Sequence, residues 1–440
     1  MNQKLAEGAP LRHMKRPTRR RRLLTTIAVA VTVVMGSTAA VAAITLRSID
    51  DNIVRSDFEL PNLPGIATDT SEQNILIMGL DSRLDQNGNP LPEEMYQALH
   101  AGNGADGGYN ANVLILLHIP EDRSRTTGIA IPRDDYVEIA GAPLGVTNSK
   151  IKEAYGLGLQ QRLGELYGSE NMSEEQIYQE ARAAGRQTQI ETVSKFLGDV
   201  RIDHFIEMTM GGFYQIAQAV APIKVCLNQA TEDVYSGAYF PAGVQELDAQ
   251  QAMSFVRQRR DTSEDGPFLT DLDRSRRQQA FLVSLAEKLK QKSTLTNPAT
   301  IASLAEVTQN YVALDTNFDA FGFVRIAQEV AQSGVQFVTL PIVRFDMING
   351  ASVNLVDEEQ IRSIVASILD GSYFDAVQAG ETPGVDVADE GVEDAGAGEA
   401  GEPGEDPAAA DPAPPASDSG LTVYESSDQP IRAGSMPCVN

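Results

Sequence analysis

Six arginines fall between Arg257 and Gln279, in RQRRDTSEDGPFLTDLDRSRRQQ, with no lysine among them. A guanidinium presents a planar fork of donors that grips phosphate oxygens two at a time, whereas an ammonium is a point charge. In a chain of formal charge -26 such a knot does not make the molecule basic. It reads as a local cradle for a highly charged phosphate ligand. Arg257 and Arg259 are two apart and share one side of an extended segment. Arg274, Arg277 and Gln278 stand at i, i+3 and i+4, one face of a helix, whose N-terminus suits Asp271 and Asp273. Taken alone, Arg274–Gln279 reads equally as a solvated charged helix. Arg260 and Arg276 are read as solvated or structural.

Two further polar clusters, Asp81-Ser82-Arg83 and Pro132-Arg133-Asp134-Asp135, each follow a short apolar run. Those runs, 74–79 and 128–131, together with 112–119, read as buried strands, and ligands collect beyond strand ends in sheets of this class. Carboxylates there can hold a divalent metal while arginines hold phosphate oxygens, as phosphoryl transfer requires. Either cluster alone is an ordinary loop ion pair; both together with the later arginines are not. Ser82 is a loop residue with no assignable base, and His13, His118 and His204 offer no catalytic site.

Near-continuous apolar strands belong to sheets covered on both faces. Two more are expected at 223–227 and 337–340, with helices over 174–197, 210–220, 248–257, 273–292 and 319–332. The fold predicted is α/β, a mixed and largely parallel central sheet with helices on both faces. The Gly-, Asn- and Pro-containing stretch 83–108 is a long loop beside the candidate site, a length often functional.

Charge divides the rest of the chain. Residues 1–22 form a basic segment with seven Arg or Lys between positions 11 and 22, and 23–46 carry no charged side chain. That run would make a helix roughly 36 Å long, enough to cross a hydrocarbon core of about 30 Å. The positive-inside rule puts its N-terminus in the cytoplasm and everything beyond outside. A cleaved signal peptide is the alternative, but the apolar run exceeds the usual h-region. A linker, 47–70, leads to a domain over 71–375. The remainder, 376–440, is dominated by Gly, Ala, Pro and acids, cannot bury enough surface to offset its ordering entropy, and is expected to be a disordered spacer. The acidic balance argues against nucleic acid as a partner. Cys226 and Cys438 are the chain's two cysteines. Outside the cell they can pair; the other reading is a buried Cys226 and a free Cys438.

The ordered series NILIMGLDSR, NVLILLHIP, IAIPRDDYVEI, KIKEAYGLG, IDHFIEM with GGF, SGAYFPAGVQELDAQQAMSFVRQR and DLDRSRRQQAF resembles the LytR–CpsA–Psr family over roughly residues 71–345. The resemblance implies a membrane-anchored α/β enzyme that moves a glycopolymer from a polyprenyl-pyrophosphate carrier onto peptidoglycan outside the cell. The long gap from Lys152 to Ile202 and the Asp-Asp after Pro-Arg are similar to an actinobacterial branch, which implies arabinogalactan or a related polysaccharide rather than teichoic acid. A pyrophosphate hydrolase using the same clamp and a non-enzymatic wall-regulatory protein are the alternatives.

By the same resemblance Asp81 would ligate Mg²⁺ with Arg83 beside the phosphate path. Arg133 would bind pyrophosphate, and Asp134 would orient it or act as a base. Lys150 or Lys152 would supply a basic contact, while Arg257, Arg259, Arg274, Arg277 and Gln278 complete the clamp. Asn112 stands where many members have an acid, which gives a neutral metal ligand with less charge. Ala221-Pro222 replaces a usual glycine pair.

Overall fold

The computed structural model describes residues 53–60, 72–100, 102, 108–290, 298–319, 323, 326, 329–330, 333–379, 421–424, 429–432 and 435–440. The expected basic segment and anchor, most of the linker, and the stretch 380–420 lie outside them. Among the described residues no helix is long and apolar enough to cross a membrane.

The chain runs β1 (Val54–Ser56), β2 (Gln73–Leu80), α1 (Glu93–Ala98), β3 (Ala111–Ile119) and β4 (Thr127–Ala130). A small ribbon, β5 (Tyr136–Glu138) with β6 (Asn148–Lys150), precedes α2 (Ala154–Leu166) and α3 (Glu174–Phe196). Next come β7 (His204–Thr209), α4 (Met210–Val220), β8 (Ile223–Leu227), the ribbon β9 (Thr231–Asp233) and β10 (Ala238–Phe240), and β11 (Gly243–Leu247). After α5 (Ala249–Arg257), α6 (Asp271–Lys290) and α7 (Pro298–Tyr311) the chain forms β12 (Val312–Asp315) and β13 (Gln336–Thr339). A hairpin, β14 (Arg344–Ile348) and β15 (Ala351–Leu355), leads to α8 (Glu358–Leu369), α9 (Tyr373–Ala379), β16 (Leu421–Val423) and β17 (Met436–Val439). The helix expected over 319–332 falls mostly outside the described residues.

The central sheet has the order β1-β12-β7-β2-β3-β4-β13. The pairs β1–β12, β7–β2 and β4–β13 are parallel, whereas β12–β7, β2–β3 and β3–β4 are antiparallel. The sheet is mixed as expected but not largely parallel. A continuous apolar run reports two covered faces, not direction, and Ala111–Ile119 returns antiparallel between β2 and β4.

Helices α2, α3 and α8 cover one face and α4, α5 and α6 the other. The two faces are not sealed equally. Towards α2 and α3, Leu76, Met78, Leu114, Leu116 and Phe205 are buried. Towards α4 and α6, Ile77, Val113, Ile206 and Met208 remain half-buried, as do Phe213, Leu282, Leu285 and Leu289 on the covering helices.

A smaller sheet, β11-β8-β17-β16, packs against α6. In it β17 lies parallel to β8 with Cys438 opposite Cys226, and the two cysteines form a disulfide. The expectation of a disordered 376–440 is thus corrected at both ends: α9 extends to Ala379, and the last residues are strands. Composition averaged over the segment hid the alternating apolar residues near its end. Arg277, fully buried, donates to the Asn440 carbonyl at 2.7 Å, and Arg276 to the Gln429 carbonyl while packing over Tyr424.

Candidate phosphate-binding active site

Strands β2, β4, β7 and β13 run in one direction, so their C-terminal ends share an edge where β3 begins. That is where an α/β sheet presents its ligands. Asp81 follows β2. Its Oδ1 accepts from the Asn110 N–H at 3.0 Å and its Oδ2 from Asn112 Nδ2 at 3.0 Å. Gly79, just before, admits no side chain, since a Cβ there would lie 2.9 Å from Val113 Cβ. Close approach of β2 and β3 thus brings Asp81 to Asn112.

Arg133 follows β4 and is 7% exposed. Its Nη1 donates to Asn112 Oδ1 at 2.8 Å, while Nε and Nη2 grip both oxygens of Asp271 at 3.2 and 2.9 Å. Asp271 opens α6, whose start is capped by Thr270 Oγ1 accepting from the Leu272 N–H and by Asp273 accepting from the Thr270 N–H. Arg274, one turn on, reaches back to Asp271 at 2.9 Å. Asp271, read from sequence only as a helix-start acid, is therefore the carboxylate that joins two buried guanidiniums. Only the folded contact between β4 and α6, 138 residues apart, reveals it.

Asp134 lies 2.7 Å from Lys152 Nζ, 3.2 Å from Lys150 Nζ and 3.5 Å from Arg133. Both lysines of the KIK block thus face the site. Burial pushes the Asp134 carboxyl up, but Arg133, Lys152 and Lys150 outweigh it and hold it at about 2. So acidic a carboxyl is a poor proton acceptor, and of the two roles expected for Asp134 the geometry supports orienting the cations. Next to it Asp135 is fully buried, accepts from Asn354 Nδ2 at 2.9 Å, and is pushed well above the carboxylate range, first by burial.

Because Asp134 is depressed in the folded protein, its stabilising contribution is complete above about pH 4 and lost as pH falls through about 2. Melting of wild type and Asp134→Asn between pH 5 and 2 checks this. The wild-type advantage should shrink over that window, and a constant gap would show that the lysines are not coupled to this carboxylate.

Arg257 closes α5 rather than lying on an extended segment, and Gln258, extended at φ -61° and ψ 128°, leads from it to Arg259. Arg257 donates to the Leu99 carbonyl, and its guanidinium is lowered by burial and then by Arg83. Arg259 is exposed, makes no hydrogen bond or ion pair among the described residues, and is lowered by burial and then by Arg133. Arg83 and Arg257 thus stand together, as do Arg133, Arg259 and Arg274. Gln278 donates to the Val256 carbonyl at 3.2 Å and lines a small cavity together with the polar Asn112, Arg133 and Ser275 and the apolar Val113, Ile115, Ala130 and Ile131.

One expected clamp residue is misplaced. Arg277 spends all three nitrogens away from this cluster, on Asn440, Gln258 Oε1 at 2.7 Å and Thr231 Oγ1 at 3.2 Å. It braces Gln258 from behind rather than facing a ligand. Helical spacing of three permits a shared face but leaves about 60° between side chains, enough here to turn Arg277 towards β17 and β9.

Asp81 and Asn112 are adjacent, yet they make a sparse metal set. The Asn112 oxygen already accepts from Arg133, and no group of three His, Cys, Asp or Glu suited to a metal occurs among the described residues. Mg²⁺ tolerates this, since it commonly takes one or two carboxylates and completes its shell from phosphate and water.

The LytR_cpsA_psr family model matches residues 32–368 of the chain. The cell wall biosynthesis protein LcpA of Corynebacterium glutamicum is 35% identical over 298 residues, 67% of this chain and 55% of that protein. A polyisoprenyl-teichoic acid–peptidoglycan teichoic acid transferase, TagU of Bacillus cereus, is 27% identical over 217 residues, 49% of this chain and 59% of that one. The chain therefore spans less than two thirds of the length of these relatives. A solved LytR-Csp2A-Psr enzyme from Actinomyces oris has a TM-score of 0.47 and 18% identity, covering 72% of this chain and 95% of that chain.

Proposed function

The chain belongs to the LytR–CpsA–Psr family, and from that premise we propose that it is a phosphotransferase moving a glycopolymer from a polyprenyl-pyrophosphate carrier onto peptidoglycan. One observation carries the reading. Arg83, Arg133, Arg257, Arg259 and Arg274 converge from four chain segments at one sheet edge. Ile77, Val113 and Met208, half-buried on the neighbouring strands β2, β3 and β7 that meet at this edge, suit the carrier's tail.

In the reaction an acceptor sugar hydroxyl attacks the phosphorus nearest the glycopolymer. A new O–P bond forms and the bridging P–O bond breaks, with its electron pair going to the oxygen of polyprenyl phosphate. The hydroxyl proton ends on that leaving phosphate. The guanidiniums of this cluster would stabilise the charge that develops on the phosphate oxygens. Mg²⁺ held by Asp81 and phosphate oxygens would add charge neutralisation. Asn112→Asp supplies a second carboxylate and should tighten Mg²⁺ binding in the presence of pyrophosphate, read by calorimetry; unchanged affinity would remove Asp81 and Asn112 from the metal's shell.

The N-terminal apolar segment would hold the enzyme to the membrane with this domain outside. The polymer would be arabinogalactan or a related polysaccharide, in keeping with greater identity to the corynebacterial relative than to TagU. Labelled carrier-linked polymer, incubated with and without peptidoglycan, tests the reaction. Label in the wall fraction supports transfer, whereas release to water alone shows a hydrolase. Full wall attachment by the Arg257→Ala/Arg259→Ala double variant would favour a regulatory protein.

A further inference from the structure

Three of the large aromatic side chains most exposed among the described residues, Tyr235 (67%), Tyr239 (78%) and Phe268 (92%), sit on two segments flanking the arginine site. Tyr235 and Tyr239 belong to the β9–β10 ribbon, where Tyr239 is paired opposite Glu232. Phe268 lies on the loop from Gln258 to Thr270. The two segments are fastened together. Asp261 Oδ2 accepts from the Glu232 N–H at 2.8 Å, the Thr262 N–H donates to the Glu232 carbonyl at 2.8 Å, and Arg260 packs over the Tyr235 ring at 4.7 Å. Both ends of the loop are in the site: Arg259 opens it, and Asp271, which holds Arg133, follows it. Chain length alone keeps Phe268 within about 11 Å of Asp271, Cα to Cα.

We propose that these rings form the platform on which the uncharged sugar rings of the peptidoglycan acceptor lie while one of its hydroxyls reaches the phosphate. The inference rests on the transferase reading above. The carrier is held by its two phosphates and its tail, but a neutral acceptor gains nothing from arginines and needs its own surface. Exposed rings offer apolar faces to the C–H faces of pyranoses, and Glu232, Glu264 and Asp265, on the same two segments, can accept from sugar hydroxyls. The same acids make the patch unsuited to an anionic bilayer, which attracts basic residues. Beyond Arg259 at its site end, Arg260 is the one base on this loop, and it is engaged on Tyr235.

The full chain in detergent can be titrated with tetra-N-acetylchitotetraose, followed by saturation-transfer NMR on the acetyl methyls, with inorganic pyrophosphate binding measured in parallel. Wild type should bind the oligosaccharide. The Tyr235→Ala/Tyr239→Ala/Phe268→Ala variant should lose at least tenfold in affinity, Tyr239→Phe should retain it, and pyrophosphate binding should stay within twofold in both. Equal oligosaccharide binding by wild type and triple variant overturns the platform, as does no oligosaccharide binding by a wild type that binds pyrophosphate. Loss of anionic-vesicle binding in the triple variant, with oligosaccharide binding unchanged, would reassign the patch to the membrane. Oligosaccharide binding without pyrophosphate binding would instead sink the phosphate site and leave the platform standing.

Discussion

Replacing Arg133 with alanine should lower glycopolymer transfer by about 10²–10³-fold, the range for removing one preorganised donor from a charge-stabilising site. Here the loss is compounded. Arg133 spans Asn112 and both oxygens of Asp271, so its removal takes away phosphate donors and leaves Asp271 directed at an incoming anion. Arg133→Lys should rescue little, because a point charge cannot bridge an amide oxygen and a bidentate carboxylate together. The fold should survive, since Asp271 keeps Arg274 at 2.9 Å. Transfer kinetics, with melting of each variant as a control, check this; activity within threefold of wild type in a folded Arg133→Ala protein would remove Arg133 from the reaction.

Cys438→Ser should cost about 3–5 kcal/mol of stability, the size expected when a cross-link over a long loop is lost. The bond joins positions 212 residues apart, and the segment it closes does more than shorten the unfolded chain. Tyr424 donates its N–H to the Cys438 carbonyl, Ile431 exchanges two backbone hydrogen bonds with Phe337 of β13, and the Asn440 carbonyl satisfies buried Arg277. Ending the chain after residue 420 should therefore cost more than the serine change, since it also removes the Asn440 and Gln429 carbonyls that buried Arg277 and Arg276 donate to. Because Arg277 braces Gln258, between Arg257 and Arg259, the truncation should lower transfer as well. Denaturation with and without reductant is the measurement: reduced wild type should match Cys438→Ser, and identical midpoints for oxidised wild type and the variant would refute the role of the bond.

What the sequence revealed and what it concealed divide along one physical line. Local features were legible: apolar runs gave β2, β3, β4 and β8, helical spacing gave α3 to α6 within about two residues, and the guanidinium fork explained why arginines and not lysines cluster near phosphate. Features fixed by long-range contact were not. Strand direction is invisible in an apolar run, so the antiparallel β3 was missed. The β7 strand, read only as the IDHF block, carries Glu207, whose fully buried carboxyl takes Arg186 Nε at 2.8 Å and Gln86 Nε2 at 3.0 Å, and also pairs with Arg182. That network ties the loop after Asp81 to α3, yet its members are spread from 86 to 207 and form no motif. Arg277 and Arg274 differ only in which way a helix turns them.

The most direct test of the phosphate site is a structure of the protein with geranylgeranyl pyrophosphate. The phosphates should lie against Arg133, Arg257, Arg259 and Arg274 beside Gln278, and the prenyl chain should run along Ile77, Val113 and Met208. Phosphates bound elsewhere, or a prenyl chain on the α2–α3 face of the sheet, would contradict the assignment.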